Sequence, residues 1–189
     1  EKRAGMELSD IDAFVAARGP GSFTGLRIGI SVIKGLAYAM EKPGLGVSSL
    51  DGIAFRFVHS QIPVCIMMDA RRNQVYCAVY QFDNGGFVSK SREKVVSPAD
   101  AIKMTKGPTL FAGSGSKVYK DIIEQTADKP VIAHSFLDYV NAAALILSLS
   151  TKDNFLDNPN NILIPTYIRK SDAQIAGVKI AGVAGVRLE

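Results

Sequence analysis

The amino-acid sequence predicts an α/β fold, and three observations predict it. Residues 11–58 alternate strand-like and helix-like segments. Residues 64–96 hold three strand-like runs joined by turns short enough to make neighbours antiparallel. From residue 98 onward helices and strands alternate again, which gives the second part the order of a ribonuclease-H-like lobe.

Each element follows from its residues. Ile11-Asp12-Ala13-Phe14-Val15-Ala16-Ala17 reads as a buried strand. A glycine-rich turn, Arg18-Gly19-Pro20-Gly21-Ser22-Phe23-Thr24-Gly25, leads into a helix from Leu26 to Met40, with Ser22 or Thr24 as its cap and Pro43-Gly44 past its end. Leu45-Gly46-Val47 is a short strand, and Ser48-Ser49-Leu50-Asp51 fits the start of a helix over Gly52 to Val58. Val64 to Asp69, Val75 to Phe82 and Phe87 to Val96 are strands, with Arg71-Arg72-Asn73-Gln74 and Asp83-Asn84-Gly85-Gly86 as the turns between them. Pro98 to Met104 is a short helix, Thr109 to Ala112 a strand and Ser116 to Gln125 a helix. Val131-Ile132-Ala133 follows as a strand, Phe136 to Leu149 as an apolar helix, and Ile162 to Ile168 as the last ordered piece. The tail from Gly177 to Val186 has neither a helical nor a strand period, and Leu188-Glu189 reads as a vector scar.

Composition narrows the function classes. The 189 residues are 47% hydrophobic and 21% charged, enough for one sizeable core or two small ones and unlike a disordered chain. A net charge of +4, with the basic residues scattered, permits nucleic-acid contact without demanding it. No apolar run reaches the roughly 18 residues of a membrane span, and no signal-peptide pattern is visible. Cys65 and Cys77 lie in apolar runs without metal spacing or a disulfide framework, so free thiols and a cytoplasmic location are expected. Counting back from the 71–74 turn sets Cys65 near Val79 and Cys77 near Met67, a diagonal offset that suits no bridge.

Few motifs carry chemistry. The 19–25 loop is no Walker loop, because its glycine spacing is wrong and no Gly-Lys-Ser/Thr follows. It reads either as a tight turn or as a helix N-terminus that holds an anion through Ser22, Thr24, Gly25 and Arg27. Asp69, Arg71 and Arg72 at the hairpin read either as a charged turn or as an acid/base or anion site. Gly113-Ser114-Gly115 sits between strand and helix, where open α/β sheets take ligands, but is a weak signal alone. His59 and His134 have no partner at ligand or triad spacing, so neither a metal site nor a catalytic residue is expected.

The helix over 24–40 is more informative. With successive residues 100° apart, Arg27, Ser31, Lys34 and Tyr38 form one narrow polar stripe. The remaining apolar arc is about twice the roughly 100° that a surface helix needs, so the pattern alone reads equally as a central helix buried by its own lobe or as one flank on the sheet and one on a partner. One flank carries Leu26, Ile30, Ile33 and Ala37, and is expected to lie on the chain's own sheet. The other carries Ile28, Gly29, Val32, Gly35, Leu36 and Ala39, and is the expected partner interface, since small residues allow close helix approach. On this reading Ile33→Asp unfolds the chain while Val32→Asp leaves it folded and unable to associate.

Several of these pieces together resemble the TsaB (YeaZ) family. They are Ala17-Arg18-Gly19-Pro20-Gly21-Ser22-Phe23-Thr24-Gly25-Leu26-Arg27-Ile28-Gly29, Lys34-Gly35-Leu36-Ala37, Val47-Ser48-Ser49-Leu50, Asp69-Ala70-Arg71-Arg72 with Val75-Tyr76, Gly113-Ser114-Gly115 with Tyr119, and Pro165-Thr166-Tyr167-Ile168-Arg169-Lys170. The resemblance implies an actin/Hsp70-like (ASKHA) fold of two lobes, here divided as 1–59, 60–160 and a C-terminal 161–189. It implies a non-catalytic scaffold that pairs with a TsaD-like transferase, with a TsaE-like ATPase joining, in threonylcarbamoyladenosine modification of tRNA. By resemblance no cofactor is bound by this chain alone, ATP enters at the partner interface, tRNA is met indirectly, a homodimer is an alternative pairing, and no membrane is involved. The rival reading is a free-standing ATP-dependent transferase or glycoprotease-like peptidase of the same fold using Asp69 and Arg71.

Three departures from the family pattern stand out. The chain opens Glu1-Lys2-Arg3, without the family's first strand-turn containing Asp-Thr-Ser, two further strands and a helix, so the first lobe is expected to be N-terminally incomplete. Ser114 stands where the family has aspartate, and the Gly/Ala/Val tail is unlike the family's polar end.

Overall fold

The computed structural model describes Gly5, residues 7–150 and residues 162–169. The described residues build two separate sheets. The first has two parallel strands, β1 (Phe14–Gly19) and β2 (Gly44–Ser48), joined by the 17-residue helix α1 (Phe23–Ala39). Ser22 caps α1, its Oγ accepting from the Gly25 N–H at 3.3 Å. Helix α2 (Ser49–Ala54) starts directly after β2 under a Ser48 cap, because Ser48 Oγ accepts from the Leu50 N–H. Its final turn continues as a 3-10 segment over Phe55–Phe57.

The second sheet takes β3 (Val64–Asp69), β4 (Val75–Asp83), β5 (Gly86–Lys90) and β6 (Lys94–Val96). After helix α3 (Pro98–Lys103) come β7 (Thr109–Ala112), helices α4 (Ser114–Val118) and α5 (Lys120–Thr126), and β8 (Pro130–Ile132). The strand order is β5-β4-β3-β7-β8, with β6 on β4 beyond β5. The tight turns make β3, β4 and β5 antiparallel, while the crossovers make β7 and β8 parallel to β3. A 3-10 turn over Ser135–Leu137 then leads to helix α6 (Ala142–Ser150).

Each sheet face has its own core. Val64 and Ile66 of β3 face α2 together with Tyr80 and Phe82. Cys65 and Met67 face α3 and α5 with Val75, Cys77, Phe111 and Ile123. The first sheet is covered by α1 on one side, while Leu45 and Val47 pack with Leu145 and Leu149 of α6 on the other. Residues 162–169 return to this sheet: Ile162 bridges Leu45, and the Thr166 N–H donates to the Arg18 carbonyl at 2.7 Å. The cysteine register is as expected, Cys65 opposite Val79 and Cys77 opposite Met67, and both are free and buried. Burial raises both thiols, Cys77 to about 11, which leaves them neutral and unreactive in the fold.

Four expectations need correction. The 11–17 strand begins at Phe14, and its side chains are half-buried. The 87–96 strand is two strands, because the Ser91 hydroxyl accepts from the Val79 N–H and the chain turns so that Glu93 meets Lys90. The 116–125 helix begins at Ser114 and breaks at Tyr119, whose backbone (φ −110°, ψ 27°) leaves the helical region. The 136–149 helix starts only at Ala142, where Asn141 Oδ1 accepts from the Ala144 N–H. The unassigned 177–186 tail and Leu188-Glu189 lie outside the described residues.

Candidate functional site

Three sequence-distant motifs converge on one cleft of about 470 Å³ between the two sheets. The 20–24 loop forms one wall, the hairpin from Met68 to Arg71 a second, and residues 166–169 a third. The loop is built as a tight turn: Gly19 has φ +113°, and a Cβ there would come within 2.7 Å of the Thr166 carbonyl oxygen. Ser22 is occupied in capping, and Thr24 and Gly25 are exposed in the first turn of α1. Arg27 lies 3.9 Å over the Phe23 ring and donates from Nε to Tyr167 Oη at 3.2 Å. The Phe23 and Tyr167 rings in turn meet at 4.8 Å between centroids, tilted by 35°. These contacts tie the loop to a segment some 140 residues away.

The hairpin is held from below. Asp69 Oδ1 accepts from the Arg71 N–H at 2.9 Å, so the carboxylate caps the turn backbone. Arg71, Arg72 and Asn73 all take positive φ there. The Asp69 N–H donates to Ser114 Oγ at 3.1 Å, and Arg169 donates from Nη1 to the Ala70 carbonyl at 2.7 Å. Ser114 thus links the 113–115 turn to the hairpin. That turn is fixed by Asp138, whose Oδ1 accepts from the Gly113 N–H at 2.9 Å. Sequence reasoning missed Asp138; it gave no site role to Phe23, Tyr76, Tyr167 and Arg169, although the 17–29, 69–76 and 165–170 motifs contain them.

Burial raises the Asp138 carboxyl above its ordinary value, against the Gly113 hydrogen bond, which lowers it. A raised folded value means that this group's contribution to stability is fully present below the unfolded value and is lost as pH rises through the folded one. Asp138→Asn keeps an acceptor for Gly113 and removes the buried charge. It is expected to match or exceed the parent at neutral pH and to lose that part of the pH dependence. Asp138→Ala orphans the Gly113 N–H and is expected to cost about 1–3 kcal/mol. Thermal melts from acid to neutral pH check both.

The α1 flanks separate as their periodicity implies. Ile30 and Ala37 are buried, and Leu26 and Ile33 half-buried, against the first sheet. The opposite flank is open: Ile28, Val32 and Leu36 are 62%, 56% and 44% exposed, and Ala39 is exposed beside them. A Cβ added at Gly29 or Gly35 would meet nothing within 4 Å, so the face is flat and uncovered among the described residues. Asp69 and Arg71 do not meet a nucleophile–base pair, and the described residues contain no group of three His, Cys, Asp or Glu that gathers as metal ligands. No described helix is long and apolar enough to cross a membrane.

Comparison with known proteins gives a consistent set of matches. A family model described as TsaD, tRNA N6-adenosine threonylcarbamoyltransferase, matches residues 2–177. The tRNA threonylcarbamoyladenosine biosynthesis protein TsaB of Bacillus subtilis is 31% identical over 172 residues, covering 89% of this chain and 74% of that protein. TsaB of Escherichia coli is 37% identical over 126 residues, but the chain spans only 54% of that protein's length. The solved structure of YeaZ from Pseudomonas aeruginosa matches with a TM-score of 0.67 at 31% identity, covering 88% of this chain and 78% of that one.

Proposed function

The chain belongs to the TsaB (YeaZ) family, and on that premise we propose that it serves as a non-catalytic partner subunit in threonylcarbamoyladenosine modification of tRNA. It pairs with a TsaD-like transferase through the open flank of α1, and a TsaE-like ATPase joins that pair. The observation that carries this reading is the exposed stripe of Ile28, Val32, Leu36 and Ala39 with Gly29 and Gly35 between them. Such a contiguous apolar face marks a docking surface, and its small residues suit close packing of a second helix. The two sheets are then the two lobes of an actin/Hsp70-like fold, divided near residue 60. Against the rival peptidase or free-standing transferase reading stand the names of the TsaB relatives, which are biosynthesis proteins, and the engagement of Asp69 in capping its own turn.

In this reading ATP is used only at the assembled complex. The purified chain is expected to show no ATP turnover above background and to co-elute with a TsaD-like subunit in size-exclusion runs. Steady turnover by the chain alone, lost on Asp69→Ala, would reverse the assignment. Co-elution of two copies in place of the mixed pair would make the same face a homodimer interface.

A further inference from the structure

A second cleft, of about 990 Å³, opens where the end of β1 meets β5 and the loop before β6. Its floor is a finished charge network. Lys90 Nζ lies 2.6 Å from both Asp51 Oδ1 and Glu93 Oε1. Tyr80 Oη donates to Asp51 at 2.9 Å, and Ser48 Oγ donates to Glu93. Every charge there has a partner, so the floor needs no ligand.

The rim is different. Arg18 and Arg92 line the same cleft, and among the described residues no side-chain hydrogen bond or ion pair engages either guanidinium. Arg18 is half-buried, where an unpaired cation is costly. It is also aimed by the backbone. Ala17 pairs with Val47 and Gly19 with Ser48, so Arg18 is the extra residue of a β-bulge. Bulges redirect side chains. The Arg18 stem lies across Gly46, where an added Cβ would sit 3.1 Å from Arg18 Cδ. A bulge and a glycine together thus hold this arginine at the cleft.

The lining selects for one chemistry. Three cations against two carboxylates leave it one positive charge, and the excess lies in the two unengaged arginines. A guanidinium fork matches the oxygens of a phosphate. Phe87, 43% exposed in the same lining, offers a ring on which a base stacks. We propose that Arg18 and Arg92 form a binding site for the phosphate of a nucleotide, free or within RNA, with Phe87 beside it. The site holds its ligand without hydrolysing it and uses only this chain's residues. It stands apart from the expectation that nucleotide enters only at a partner interface, and its test needs no partner.

The test titrates the full chain with AMP and with a fluorescently labelled short RNA hairpin. Binding of either probe, weakened roughly tenfold or more by both Arg18→Gln and Arg92→Gln, is the expected result. Arg27→Gln, outside this cleft, leaves it unchanged. AMP binding identifies a free nucleotide as the source. Binding of the hairpin alone identifies RNA, and its salt dependence then becomes shallower by about one unit of slope per arginine removed. If Arg18→Gln fails to melt cooperatively, exposed Arg92→Gln decides the matter. No binding of either probe at millimolar concentration, or full binding by a folded Arg92→Gln variant, overturns the proposal.

Discussion

Val32→Asp is expected to abolish association with the partner while leaving the chain's own melt unchanged, and Ile30→Asp is expected to do the opposite. The two positions lie two residues apart on α1, but their environments differ: Val32 is 56% exposed and Ile30 only 3%. A carboxylate at position 30 is buried against the first sheet, and an unpaired buried charge costs several kcal/mol. That is on the order of the whole stability of a domain, typically about 5–15 kcal/mol. At position 32 water solvates the same carboxylate in the free chain, and burial is required only on docking. Its cost therefore falls on association alone. Ile33, chosen from periodicity as the unfolding position, is half-buried, so Ile30 is the sharper probe. Circular-dichroism melts and size-exclusion runs with a TsaD-like subunit separate the two effects. If both variants unfold, α1 is a buried helix and the interface lies elsewhere.

The second large effect is expected at Gly113→Ala. Gly113 has φ +98°, a region that side chains with a Cβ avoid, and its Cβ would come within 2.5 Å of the Met67 carbonyl oxygen. Met67 is in the middle of β3 and cannot yield without breaking the β3–β4 ladder. The loss is expected to be about 3 kcal/mol or more, at the upper end of single substitutions. Because the same turn carries Ser114 and is held by Asp138, the hairpin at Asp69 is expected to loosen with it. Denaturant midpoints measure the first effect, and hydrogen exchange of the Asp69 and Arg71 amides the second. An unchanged midpoint would show that β3 and the turn shift apart at little cost.

How much of this was legible in the sequence depended on the range of the forces involved. The cysteine register followed from counting because a tight turn fixes the pairing of its two strands. The two flanks of α1 followed from 100° periodicity because burial on a sheet is a one-sided condition. The splits at Ser91 and Tyr119 were not legible. The first depends on Glu93 reaching Lys90 and Ser48 of other elements, and the second on a single residue's backbone angles. Asn141 was a readable cap that apolar content overrode. The first cleft was the hardest part. Its walls come from residues near 20, 70 and 167: the contacts of Arg27, Phe23 and Tyr167 join the first to the third, and the Arg169 bond to the Ala70 carbonyl joins the third to the second.

The measurement closest to the central claim is site-specific photo-crosslinking in the assembled complex. One probe replaces Val32 on the open flank of α1, and a second replaces Ile146 on α6, which is 55% exposed and forms a rival apolar surface. The account predicts an efficient crosslink to the TsaD-like subunit from position 32 and none from position 146. Crosslinking from position 146 with none from position 32 would contradict it, and would move the docking surface from α1 to α6.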